Sequence, residues 1–583
     1  MLFAGAAALG LVLAIVIASS SSTGSTQAVG VFPSAGTPVA SPSTQVSFRG
    51  AAISELTGVT VVGSSTGAHS GRLAAHSDGE GASFLPDKRF RPGERVSVRA
   101  DVPLVGARDG AVTFKIARRP SHGIPPGGGD PGGTPRGAQR FRTRPDLMPP
   151  TIAVTRRTAA AASGDLFVAP KAGKGQDGTI IADERGRTVW FRRVPRGSSA
   201  FDFRTQEYQG KPVLTWWQGS VRRGQGLGDG LIFDDSYRQI ARVRAGNGYR
   251  ADFHEFQLTP AGTALMLVYN PVPADLRSVG GPRRGVAMDV VVQEVDVKTG
   301  LVVFEWHSIG HVPLRESYDS RGADPFDVTH VNSVEEEPDG NLLLSARNAN
   351  ALYEVDRRSG KIVWKLGGKR SDFKMSGGSR FVSQHTTHLL PDDSITIFDN
   401  GAPPSPGREA RGLVLKADMG SKTARVQHVF RHPKHLHSPS QGSLQALPGG
   451  NFLVGWGGGN PYFSEYSPSG KLVFDAHFVP TGDDTYRAYR LPWTGHPADS
   501  PSVAATSAGG ATQVYASWNG ATEVASWQVL AGPSAASLQP LATVARSGFE
   551  TRAQLDSAQP FVAVRALDSE GRTLGTSATI SPK

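Results

Sequence analysis

Four prolines cut the middle of this chain into units of one kind. Leu258-Thr259-Pro260-Ala261-Gly262, Glu337-Pro338-Asp339-Gly340, Leu390-Pro391-Asp392-Asp393 and Leu447-Pro448-Gly449-Gly450 each stand between two apolar runs, which is the pattern of a β-hairpin turn. A second hairpin follows most of them. It reads Glu294 to Gly300 with Trp306 beyond, Glu354 to Gly360 with Trp364 beyond, Leu415 to Asp418, and Glu465 to Gly470. More degenerate copies lie upstream, at Asp183 to Gly186 with Trp190 and at Gln209-Gly210 with Trp216-Trp217. Four strands per unit at a period of roughly fifty to eighty residues is the arithmetic of a β-propeller, and residues 158–494 accommodate about six blades.

In a propeller the innermost strand of each blade borders the central channel, so a repeated position becomes a ring. At one fixed offset before the turn proline stand His254, Asn332, His385 and Gly442. His330 precedes Asn332 by one alternation, which on a strand puts both on one face. Arg347 ends the return strand of the same hairpin and reaches the same rim, and the neighbouring returns end in Tyr269-Asn270 and Asp399-Asn400. Three imidazoles, an amide and a guanidinium, with no carboxylate at the repeated offset, suit an oxyanion. Three histidines also suffice for catalytic zinc, but Arg347 would repel the metal, so no metal is assigned. His388 neighbours His385 and is carried as a further substrate-binding residue. His428, His432, His435 and His437 read as surface histidines.

The flanks differ in character. Residues 41–118 alternate short β runs with turns and predict a small β-sandwich; residues 119–157 are a Gly/Pro-rich connection. Residues 499–583, with Trp518, Trp527 and the run from Phe561 to Gly571, resemble a fibronectin type III sandwich. The expected class is therefore all-β: a six-bladed propeller between two sandwiches. Leu2 to Ala18 is an unbroken apolar run followed by serines, so residues 1–28 read as a secretion signal or a membrane anchor, and the bulk of the protein as extracytoplasmic, secreted or held at the cell surface. The formal net charge of +11 is scattered rather than clustered, which gives no nucleic-acid footprint and favours anionic ligands or an anionic surface. The absence of cysteine excludes disulfides and thiolate metal sites.

Several stretches together carry a family resemblance. His254-Glu255-Phe256-Gln257, Gln293 to Asp296 with Phe304-Glu305-Trp306, His330-Val331-Asn332, Ala346-Arg347-Asn348, Trp364 to Lys369, Gln384-His385, Phe398-Asp399-Asn400-Gly401 and Gly442 to Gln445 resemble the arylsulfotransferase family, the bacterial aryl-sulfate sulfotransferases that use no nucleotide sulfate donor. The resemblance covers about residues 170–480 and departs from the family in its flanking sandwiches and in lacking the cysteine pair of some members. It implies a six-bladed propeller with the active site in the channel. It also implies transient sulfurylation of a histidine, here His385, with His254, His330, Asn332 and Arg347 holding the sulfate and Tyr269, Asn400 and His388 nearby. An aryl sulfate donor and a phenolic acceptor are the implied partners, with no cofactor. The alternative function is a non-catalytic surface propeller that binds sulfated or other anionic ligands. A propeller holding a quinone or calcium, suggested by Trp364 to Gly368, lacks the acidic ligands it would need.

Overall fold

The computed structural model describes residues 27–123, 138–402, 408–480 and 482–583. The apolar run at 2–18 lies outside them, as do residues 124–137 of the Gly/Pro-rich connection; among the described residues no helix is long and apolar enough to cross a membrane. The chain is all-β. Its only helices among the described residues are short 3-10 turns.

Six antiparallel sheets occupy the middle of the chain. The second runs through Ser199–Tyr208, Lys211–Arg222, Gln225–Phe233 and Gln239–Val243, the third through Phe256–Leu258, Thr263–Ala274, Gly285–Asp296 and Val302–His307. The fourth comprises Val331–Glu336, Leu342–Ala346, Ala351–Val355 and Ile362–Gly367; the fifth His385–Leu389, Ser394–Asp399, Arg411–Asp418 and Thr423–Phe430; the sixth Ser443–Ala446, Phe452–Gly455, Tyr462–Tyr466 and Leu472–Val479. Each of these five is a meander whose strands are adjacent in chain order, with short turns except between Ala274 and Gly285 in the third sheet and between Asp399 and Arg411 in the fifth. The four turn prolines sit between the first two strands of sheets three to six, as the repeat predicts.

The first sheet is assembled differently. Asp165–Lys171, Gly178–Ala182 and Thr188–Arg193 are consecutive, but the strand on the free side of Asp165–Lys171 is Asp484–Leu491, from the far end of the array. Neighbouring sheets touch in chain order, and the strand Asp484–Leu491 lies against both the second sheet and the sixth, which returns the series to its start. Thr151–Arg157, expected within the connection, instead forms a strand on the outer edge of the sixth sheet, paired with Leu472–Val479.

Between sheets both faces of a strand are covered, so Gly285–Asp296 is buried along its whole length, with Val290, Val291 and Val292 in succession and Asp289, Gln293, Glu294 and Asp296 buried beside them. Trp306 is 1% exposed and packs between the third and fourth sheets; its Nε1 donates to the Gly360 carbonyl at 3.0 Å. The repeated tryptophan thus ties one sheet to the outer turn of the next, and Trp306→Ala should cost about 3–5 kcal/mol.

Both flanks are two-sheet units with their own cores. In the N-terminal one, strands from Gly30–Phe32 to Val112–Lys115 enclose Phe48, Val61, Phe84, Val98 and Phe114. It docks on the third sheet, where Gln45 Nε2 donates to the Val302 carbonyl at 2.6 Å and the Ser77 hydroxyl to Asp296 at 2.8 Å. The C-terminal unit encloses Val514, Trp527, Val529 and Val564. Its Asn519 bonds both ways with the Phe191 main chain, at 2.9 and 3.0 Å, on the outer strand of the first sheet.

Behind the N-terminal contact lies a buried ion cluster. Burial alone would hold the His307 imidazole uncharged, but Asp289 at 2.6 Å and Glu305 at 2.9 Å raise it to about 10. An imidazole raised above its ordinary 6.5 contributes stability in full below that value and loses it as pH climbs towards 10. His307→Gln should therefore melt far below the parent in mildly acidic buffer, by roughly 3–5 kcal/mol for an orphaned buried pair, and thermal melts should show the gap closing as pH rises into the alkaline range.

Candidate active site

A cavity of about 580 Å³ opens at the starts of the first strands, and all six sheets contribute to its wall: Lys171, Phe201, His254, His330, His385 and Gln441, with Arg347 beside them. Main-chain irregularity aims these side chains. The pairing of Val331–Glu336 skips Asn332, and that of His385–Leu389 skips Thr386. Such bulges re-aim a strand's side chains at its end. His330 has φ +47° and Thr386 φ +45°, left-handed values that only surrounding contacts hold for non-glycine residues. At the same offset in the sixth sheet stands Gly442, with φ +104°; a Cβ there would lie 2.2 Å from the Phe398 ring, so the ring position that is His or Asn elsewhere is necessarily bare.

Each imidazole has its Nδ1 engaged from behind. His254 Nδ1 meets Asp252 Oδ1, whose carboxylate also accepts the His254 and Gly226 main-chain N–H groups. His330 Nδ1 meets Asp327 Oδ2 at 2.6 Å. His385 Nδ1 meets the Asn400 amide oxygen at 2.7 Å and the Ser383 carbonyl at 3.2 Å. The Asn400 Nδ2 donates to the Gln441 carbonyl at 2.9 Å, which settles the orientation of that amide. Since both partners of His385 Nδ1 are acceptors, Nδ1 carries the proton and Nε2 keeps its lone pair.

The surroundings of His385 and His254 disfavour their protonation. Burial lowers His385 well below 6.5, and the Arg347 charge lowers it further. Burial, then the charges of His330 and Arg487, do the same to His254. Burial pushes the Asp252 carboxyl up to about 7, with the main-chain N–H groups of Gly226 and His254 opposing. The Asp252–His254 pair therefore takes up or releases one proton near neutral pH.

The sequence-derived residues fall into two groups. His254, His330, Arg347 and His385 share the cavity. The His254 and His330 ring centroids are 4.9 Å apart, and Tyr269 packs against both, at 5.4 and 5.3 Å, with its hydroxyl donating to the Val331 carbonyl. Asn400 acts from behind His385. Asn332 does not share a face with His330, because His330 lies just before the strand and Asn332 is the bulged residue. Its Nδ2 donates to the Gln384 carbonyl at 2.7 Å and its Oδ1 is buried without a partner. His388 is not in the cavity; it points to Glu335, 3.4 Å away, beside the turn that follows. Nor is His432 a surface residue: it is 3% exposed and faces Asp475.

Sequence reasoning missed the carboxylates, Asp252 and Asp327, because they lie outside the repeat offset; the short spacing to their histidines was the available signal. It also missed Phe201 and Phe253, stacked with centroids 4.3 Å apart on the cavity wall, and Lys171, which is ion-paired to Asp484. The Arg347 guanidinium, by contrast, bonds among the described residues to Asn348 Oδ1 and the Pro439 carbonyl, two neutral acceptors, and lines the cavity. A neutral nucleophilic nitrogen, a guanidinium, two carboxylate-backed imidazoles and an aromatic wall together suit an aryl ester of an oxyanion.

Known proteins point the same way. Residues 204–479 match the family described as arylsulfotransferase (ASST), and this part of the chain belongs to that family. No curated protein matches the chain. Among solved structures, a protein of unknown function from Bacteroides caccae is 13% identical, with TM-score 0.35, over 57% of this chain and 100% of its own. Virginiamycin B lyase from Staphylococcus aureus is 10% identical, with TM-score 0.27, over 55% and 78%. A Lactobacillus plantarum protein is 11% identical, with TM-score 0.31, over 67% and 100%. Likeness at this level carries no argument about what the chain does.

At pH 6.5, where a free imidazole is about half protonated, nitrogen NMR of ring-labelled protein should show His385 neutral with its proton on Nδ1. Asn400→Ala should release that tautomer and, by removing an acceptor that favours the protonated ring, leave His385 even harder to protonate.

Proposed function

We propose that the six sheets form a six-bladed propeller flanked by an N-terminal sandwich and a fibronectin type III-like C-terminal unit, and that the protein is an aryl-sulfate sulfotransferase working through a sulfo-histidine. The cyclic order of sheet contacts supports the first part. The second rests above all on His385, whose Nδ1 is committed as a donor so that its Nε2 lone pair is available beside Arg347, in a family of arylsulfotransferases.

In the first half-reaction His385 Nε2 attacks the sulfur of an aryl sulfate in line, the N–S bond forms as the S–O bond to the aryl group breaks, and a phenolate departs. Sulfuryl transfer, like phosphoryl transfer, spreads charge over three equatorial oxygens, so catalysis is mostly placement and electrostatics. Arg347 and His330 face those oxygens. His254, in its proton-loaded form, gives a proton to the leaving phenolate; unloaded, it takes the proton of the incoming phenol, whose oxygen then displaces His385 from sulfur. Phe201 and Phe253 offer the aryl rings a stacking face.

An extracytoplasmic location, with residues 2–18 as signal or anchor, fits an enzyme without cysteine. The positive charge fits anionic substrates.

Purified protein given a chromogenic aryl sulfate and a phenol should release the chromophore and carry one added sulfuryl group on a peptide containing His385. His385→Ala should lose at least about a thousandfold in rate, as for removal of a covalent nucleophile. Undiminished turnover in that variant overturns the covalent mechanism, and tight binding of aryl sulfates by the parent without turnover identifies a binding protein instead.

A further inference from the structure

The three imidazoles line one cavity, His254 and His385 fully buried and His330 partly so, but they differ in what stands behind them. Asp252 backs His254 and Asp327 backs His330, each through Nδ1. His385 alone is backed by neutral acceptors, Asn400 Oδ1 at 2.7 Å and the Ser383 carbonyl at 3.2 Å. The amide is held in that orientation from three sides: its Nδ2 donates to the Ser438 carbonyl and hydroxyl, both at 3.3 Å, and to the Gln441 carbonyl at 2.9 Å. It is 1% exposed, so no water competes for the bond.

Once Nε2 bonds to sulfur while Nδ1 keeps its proton, the ring is a cation, and a cationic imidazolium leaves sulfur readily. A carboxylate behind Nδ1 would stabilise that cation or accept its proton, and the neutral sulfo-imidazole left behind would be a poor sulfuryl donor. An amide oxygen accepts the hydrogen bond but not the proton.

Resting on the sulfotransferase reading, we propose that Asn400 is the positioning residue that keeps sulfo-His385 a labile donor, while Asp252 and Asp327 reserve His254 and His330 for proton transfer and oxyanion contact. The partner behind each ring assigns its role. Only His385 is placed to make and break a bond to sulfur.

The test is Asn400→Asp, an isosteric change, compared with the parent in separated half-reactions. With aryl sulfate alone the variant should release about one phenolate per enzyme and hold the sulfuryl group on His385. On addition of phenol its transfer should be slower than the parent's by about tenfold or more, the scale on which a neighbouring opposite charge shifts an imidazole. Nitrogen NMR of the unreacted variant should show His385 titrating at higher pH than in the parent, a readout that needs no turnover. A variant in which both half-reactions slow equally with no accumulated sulfo-enzyme, or in which the His385 titration does not move, overturns the proposal while leaving the sulfotransferase reading intact. A parent that never carries a sulfuryl group on His385 overturns that reading, and the proposal with it.

Discussion

The guanidinium of Arg487 is the contact on which the centre of the molecule depends. The inner strands of the six sheets meet without pairing to one another, so their inward main-chain carbonyls need donors from elsewhere. Arg487 supplies them: its Nη2 donates to the carbonyls of His254 and Asn332, both at 3.0 Å, and the Tyr486 hydroxyl donates to the same two at 3.3 Å. One side chain thereby fixes the main chain at two positions of the cavity rim. The charge is balanced by Asp202 and Glu255, which Arg204 also bridges, at 2.9, 3.0 and 2.8 Å in the closest contacts. All four groups are buried, and removing one partner of such a cluster strands the rest. Desolvation of such buried ions offsets much of their mutual attraction, so the contribution of this centre is seen in the positions it holds.

The cluster also acts on the cavity through its field. Arg487 lowers His254, and Arg347 lowers His385. The positive potential that would draw a sulfate ester inward is thus the same potential that discourages protonation of the ring proposed to attack it. A site that relied on lysine alone would attract such an anion but lack the planar fork that Arg347 would present to two oxygens of the proposed sulfate ester. Lys171, already paired with Asp484, adds bulk and local dipole rather than free charge.

Most of the scaffold was legible because its signals are local. Turn prolines, Asp-to-Gly hairpins and recurring tryptophans report short-range geometry, and they located the sheets within a few residues. The repeat offset picked out His254 and His385, and the hairpin around Pro338 added His330 and Arg347, all four of which line one cavity. What escaped depends on contacts far apart in sequence or on departures from ideal strands. His388 looked close to His385 because the two are neighbours in sequence, but it sits further along the strand, towards the turn at Pro391. Asn332 and His330 seemed to share a face only if the strand was regular, and the bulge breaks that regularity. Asp252 and Asp327 were invisible to an argument built on a repeated position, since a carboxylate behind a ring need not recur. Arg487 stood in no motif at all.

The pairing of Asp484–Leu491 with Asp165–Lys171, across more than three hundred residues, puts a condition on the order in which this molecule is made. A growing chain contains His254, His330, Arg347 and His385 long before it contains Tyr486 and Arg487. Until that last inner strand arrives, the first sheet lacks its innermost member, the inward carbonyls lack their donors, and the rings have no fixed rim to occupy. Long-range closure of this kind is slow relative to local hairpin formation. The proposed catalytic groups are therefore synthesised early and assembled late, and a nascent or truncated chain ending before the final strand has the cavity's side chains in its sequence without the cavity in its structure.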